Sequence, residues 1–177
     1  KEGKADALVD QALRSTGIVP PSFYWDRARC LTKPAKSKFK VAVCFYGLIR
    51  SIRHTLPSIR KHVYAVLEKQ GIGYDVFVHA FFLDKIHNKR NGEEGIQLNP
   101  YEFLLLEPCR FEITDQSTVR QKLLHQLQED AAAKGHKLVD PPYVRDNLTT
   151  TANYLGALYS QRRCAEMVAA RSAALGV

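Results

Sequence analysis

The chain has 177 residues, enough for one domain with a substantial core, and its 45% hydrophobic and 25% charged content is ordinary for a globular protein. No apolar run approaches the roughly 18 to 20 residues that span a membrane. The polar opening KEGKADALVDQALR is not a signal peptide, and because it lacks an initiator Met the compartment is not legible from it. Net charge is +8, from 26 Lys and Arg against 18 Asp and Glu. That balance suits an anionic partner, although the basic residues are scattered and also fit a solvated surface.

Residues 1 to 15 read as a helix, with Ala7, Leu8, Ala12 and Leu13 at helical spacing. Pro20-Pro21 forbids its continuation, and residues 16 to 39 read as an extended arm carrying Phe23, Tyr24 and Trp25. The run from Lys40 to Tyr46 is continuously apolar after its first residue, as expected of a buried parallel strand. Gly47 breaks it, and a helix is expected from about His54 to Lys69, ended by Gly71 and Gly73. Tyr74 to His79 is a second strand, and the spacing implies a parallel β-α-β unit.

Residues 84 to 99 read as a polar loop, and Tyr101 to Leu106 as a short helical turn. Cys109 to Thr114 alternates Phe111 and Ile113 with polar neighbours, as a third strand would. Ser117 to Lys134 is an amphipathic helix stopped by Gly135. After a loop with Pro141-Pro142, Thr150 to Leu175 is a long helix with Gly176 as its cap. Leu155, Leu158 and Tyr159 are expected to face the core, with Arg162 one turn further on the same stripe.

The four cysteines, at positions 30, 44, 109 and 164, show no metal-ligand spacing and do not read as a disulfide framework. Cys44 and Cys164 are expected to be buried thiols. Asn147-Leu148-Thr149 matches the glycosylation sequon, a pattern common by chance.

The turn Tyr46-Gly47-Leu48-Ile49-Arg50-Ser51 is the candidate ligand site. Ligands of open α/β sheets sit beyond the C-terminal strand ends. A glycine there admits close approach, a helix N-terminus offers free N–H groups, and Arg50 and Arg53 add charge for phosphates. The same residues also fit a plain turn with surface arginines. His79 ends the second strand at the same edge, where a structural histidine is the alternative. No GxGxxG, Walker, GxSxG, DxD, HExxH or HxH pattern occurs, so no catalytic residue and no metal site is assigned. Without an RRM-type aromatic box, KH loop, zinc knuckle or basic helix, the charge does not argue for nucleic acid.

Four segments together resemble a family of glycosyltransferases. They are Val41 to Ile59 with its Gly47-Leu-Ile-Arg50-Ser51 turn, Tyr74-Asp-Val-Phe-Val-His79, Leu106 to Asp115, and Tyr154 to Ala165. The resemblance implies an α/β, Rossmann-like three-layer fold with a short, mainly parallel sheet (GT-A-like) over residues 40–177, preceded by a helical and extended arm over 1–39. It implies a nucleotide-sugar donor near Gly47, Arg50, His79 and Tyr159. Tyr46, Arg53 and Arg162 complete the nucleotide-binding set expected at that edge. The family's acidic metal-binding motif lies on a strand after the long helix, and the sequence stops at Val177. A divalent cofactor is therefore expected only with such a further segment. The reading is a glycosyltransferase-like pseudoenzyme serving as an accessory or structural subunit, with protein partners through residues 1–39. The alternative is the N-terminal, donor-binding half of an active enzyme.

Overall fold

A computed structural model describes residues 22–26, 40–83, 85–88, 92–99, 101–136 and 149–175. The expected helix at 1 to 15, most of the arm, the Pro141-Pro142 loop, the sequon's Asn147 and the Gly176 cap lie outside the described residues.

Strands β1 (Ser22–Asp26), β2 (Lys40–Gly47), β3 (Gly73–Phe82) and β6 (Arg110–Asp115) form one sheet in the order β1-β6-β3-β2. β2 and β6 both run parallel to β3, and β1 pairs antiparallel with β6. The protein is thus α/β, with a short parallel sheet of three strands, an arrangement compatible with a Rossmann-like fold. The parallel pairs need crossovers. The first is helix α1, built from Ile52–Ile59, a π turn over Arg60–Tyr64, and Ala65–Lys69. Pro57 lies inside it and supplies no N–H, so the regular ladder is already interrupted before the π turn.

One expectation is extended here and one corrected. β1 lies within the extended arm expected over residues 16 to 39 and joins the core sheet with the register Phe23 to Ile113 and Trp25 to Phe111. Its aromatic residues are strand formers, and β6 would otherwise present an unpaired edge. The polar segment 84 to 99 is a hairpin, β4 (Lys85–Asn88) with β5 (Glu93–Gln97). Asn91-Gly92 is the turn signal that marks it, and Gly92 has φ of 69°.

A 3-10 turn, Glu102–Leu106, leads into β6, and Asp115 then caps helix α2 (Gln116–Ala133) by accepting the Thr118 N–H at 2.7 Å. The long helix α3 (Thr149–Leu175) follows. Among the described residues, no helix is long and apolar enough to cross a membrane.

Alternation divides the sheet into two faces. Tyr74, Val76, Val78 and Ala80 of β3, with Phe111 and Ile113 of β6, form the core with Ile52, Leu56, Phe103 and Leu106. Each Val, Leu, Ile or Phe among them, fully buried, stabilises by about 1.5–3 kcal/mol. The opposite face lies under α3 and carries Asp75, His79, Arg110, Glu112 and Thr114, all buried. Cys109 is disulfide-bonded.

Candidate functional site

Helix α3 runs against the strands. Ser160 meets the C-terminal ends of β2 and β3 through Gly47 and His79, and Arg171 reaches Asp75 near the start of β3. Two strand residues rise about 6.6–6.8 Å and four helix residues about 6.0 Å, so successive helix turns stay level with successive rows of the sheet. Three rows result.

The upper row is Tyr46, His79 and Glu112, neighbours across β2, β3 and β6. Above it Ser160 Oγ accepts the Gly47 N–H at 2.8 Å and lies 2.6 Å from His79 Nδ1. Ser160 also donates to the His79 carbonyl at 3.2 Å, so its oxygen is left to accept from Nδ1–H. That makes Nε2 the acceptor, served by the Thr114 hydroxyl at 3.0 Å. His79 and Ser160 are both 0% exposed, and every polar atom of the pair has a partner. Burial, reinforced by the Arg163 charge, pushes the His79 pKa down to about 4. The ring is neutral at pH 7, and with both nitrogens engaged it holds the turn rather than exchanging protons with a ligand. In the same row Arg163 grips Glu112 with Nε at 3.1 Å from both carboxylate oxygens and Nη2 at 2.7 Å from Oε2, and it also reaches Glu166. The Glu112 hydrogen bonds hold the Arg163 pKa above its ordinary value.

The middle row is Cys44, Phe77 and Arg110. Phe77 packs with Cys164 and Met167, and Arg110 Nη1 donates to the Met167 carbonyl at 3.3 Å. In the lower row Asp75 Oδ2 lies 2.7 Å from Lys40 Nζ and 3.9 Å from Arg171 Nε.

The turn beyond β2 is what this scaffold presents outward. Gly47 has φ of +107°, a conformation that L side chains rarely adopt, and nothing lies within 4 Å of where its Cβ would stand. Tyr46 beside it is 46% exposed. Arg50 is exposed on the same turn. The N-terminus of α1, however, is already occupied. Glu102 Oε2 accepts the Ile52 N–H at 2.8 Å, and its other oxygen lies 3.9 Å from Arg53. A carboxylate of the chain itself stands where a phosphate would be received.

Of the sequence-derived set, the structure brings Tyr46, Gly47, His79 and Tyr159 together, with Arg50 on the turn and Arg53 turned to Glu102. Tyr159 sits edge-on to His79, with ring centroids 5.6 Å apart, and stacks on Phe81 at 6.3 Å. Arg162 is a correction. Its side chain is 78% exposed and pairs with Glu166 at 2.8 Å on the outer face of α3. Leu158 likewise is 43% exposed. The stripe facing the sheet is Ser160, Arg163, Cys164, Met167 and Arg171. Phasing the helix on its largest apolar residues placed Tyr159 against the sheet but put Leu158 and Arg162 on the wrong side, because the strands beneath the helix are polar.

Glu102, Thr114 and Ser160 were missed. The polar residues alternating in both strands, Asp75 and His79 in one and Arg110, Glu112 and Thr114 in the other, were the available signal for a polar seam. Among the described residues no group of three or more His, Cys, Asp or Glu could hold a metal ion, so they offer no ligand set for the divalent ion implied by the resemblance. Compared with known proteins, the chain matches no family model, no curated protein and no solved structure.

Proposed function

We propose that this chain is a glycosyltransferase-like domain with a Rossmann-like, GT-A-like architecture, acting as an accessory or structural subunit rather than as a nucleotide-sugar-using enzyme. One observation carries the reading: the 2.8 Å hydrogen bond from the Ile52 N–H to Glu102. A nucleotide diphosphate approaching the turn after β2 would meet a fixed carboxylate at the helix N-terminus instead of free donors. The buried His79 and Ser160 pair adds support, since it stabilises the turn without presenting a reactive group. Partner contacts through residues 1–39 belong to this proposal in a narrower form, because β1 is used inside the protein's own sheet.

A second reading is the donor-binding half of an active enzyme, and the open space above Gly47 favours it. Calorimetric titration with UDP- and GDP-sugars in the presence of Mn²⁺ separates the two. The accessory reading expects no saturable heat at millimolar ligand, and gain of binding in Glu102→Ala would identify the carboxylate as the obstacle. Saturable binding by the wild type that is lost in Arg50→Ala would overturn it in favour of the donor-binding reading.

A further inference from the structure

Cys44 and Cys164 occupy the middle row of the seam between β2 and α3, below the turn that Ser160 and His79 hold. Cys44 is exposed on β2, the strand that ends the sheet, on the face that carries α3. Cys164 is 1% exposed on the sheet-facing stripe of α3, with its sulfur 3.9 Å from the Phe45 carbonyl. Cys164 packs on Phe77, the register partner of Cys44 on the same face of the sheet, and its sulfur reaches the carbonyl of the residue after Cys44; both are free thiols, whereas Cys109 is already in a disulfide. Two neighbouring thiols, one open to solvent and one behind it, are the arrangement of an attacking and a resolving cysteine.

We propose that Cys44 and Cys164 form a reversible disulfide that fastens α3 to β2, made by exchange with a small disulfide of the oxidised-glutathione class. The Cys44 thiolate attacks one glutathione sulfur, its bond to that sulfur forms, and one glutathione thiolate leaves. Cys164 then gives its proton to water, and its thiolate attacks the Cys44 sulfur. The Cys44–glutathione bond breaks and the second glutathione thiolate leaves. The protein loses two thiol protons and two electrons, and one oxidised glutathione becomes two reduced ones. The polarity of the pair fits this order. Hydrogen bonding from Cys164 lowers the Cys44 pKa below the usual thiol value, while the bond to Cys44 and burial raise that of Cys164. Capping Cys44 removes the neighbouring thiolate, so Cys164 becomes easier to ionise only after the first exchange.

The crosslink has a consequence for the turn after β2. Cys164 follows Ser160 by one helical turn, and Cys44 precedes Gly47 on the same strand, so the disulfide would clamp the seam closed by the Gly47–Ser160 hydrogen bond.

The test is incubation of the full chain with oxidised glutathione, quenching with N-ethylmaleimide, and peptide mapping by mass spectrometry. A linked Cys44–Cys164 peptide pair is expected, together with a rise in Tm on the order of 5–10 °C that dithiothreitol reverses. Cys164→Ser is expected to stop at a Cys44–glutathione mixed disulfide. Should that variant not fold, wild-type protein alkylated at Cys44 beforehand is expected to yield no linked pair. A wild-type product that ends as the mixed disulfide with Cys164 still a free thiol overturns the proposal, as does full alkylation of both cysteines after the incubation.

Discussion

The two faces of the sheet are held by different physics. One side of β3 and β6 is a run of Val, Ala, Tyr, Phe and Ile closed by α1 and the 3-10 turn. The other side, under α3, is a set of paired charges and hydroxyls around a small apolar patch of Phe77, Cys109, Cys164 and Met167. Apolar packing is non-directional and tolerates adjustment, whereas the α3 seam works only if donors and acceptors meet in register. The apolar face therefore supplies most of the stability. The polar face specifies where α3 sits, and through Ser160 it fixes the turn after β2.

The largest expected effect lies on the apolar side. Phe103 is 0% exposed and its ring centroid is 4.8 Å from that of Phe111. Phe103→Ala should lower unfolding free energy by about 3–5 kcal/mol in urea denaturation. A much smaller loss would mean that this face is not the main core.

Acid should weaken the polar face specifically. The folded-state pKa of His79 is about 4, below the ordinary 6.5 of the unfolded chain. Between those values the unfolded state binds a proton that the folded state does not, so stability is intact above pH 6.5 and falls as pH drops toward 4. The loss attributable to His79 approaches about 3 kcal/mol at the lower end of that window. Asp115 and Glu166, both held below their ordinary carboxylate values, lose their contributions at still lower pH. Comparing Tm against pH for the wild type and His79→Asn isolates the histidine, since the variant should show a flatter profile between 6.5 and 4. Identical profiles would remove His79 from the account.

Arg163→Ala comes next. It strands the Glu112 carboxylate, whose side chain is only 10% exposed, and should cost about 2 kcal/mol, moderated because Arg163 itself is partly open to solvent. Replacing both partners by Leu should cost less than the single change, because no buried charge is left alone. Equal losses for the two variants would mean that the pair matters for packing and not for charge. The smallest effect belongs to Arg162→Ala, on the outer face of the same helix, where the exposed pair with Glu166 should be worth less than about 0.5 kcal/mol.

The parallel β-α-β unit from Lys40 to His79 was legible because its signals are local. An apolar run, a breaking glycine, a helical stripe and a second apolar run each declare themselves within a few residues. Helix ends at Gly71 and Gly135, where φ is 68° and 69°, were legible for the same reason. β1 was not, since its pairing depends on β6, far along the chain. The phase of α3 was not legible either. An alanine-rich helix carries a weak apolar stripe, and its orientation is decided by His79, Glu112 and Asp75 on strands remote in sequence.

The turn after β2 gathers both lessons. By itself, the amino-acid sequence determined that a glycine turn would stand at the C-terminal end of a parallel strand with arginines beside it, because strand, turn and helix are set by neighbours along the chain. Only the tertiary structure decided what fills the space around it. Glu102 arrives at the α1 N-terminus from a distant 3-10 turn, and Ser160 and His79 close the turn from behind. Hydrogen bonds between residues 50 and 113 positions apart leave no periodic trace in a sequence, since each needs a single donor and a single acceptor brought together by the fold.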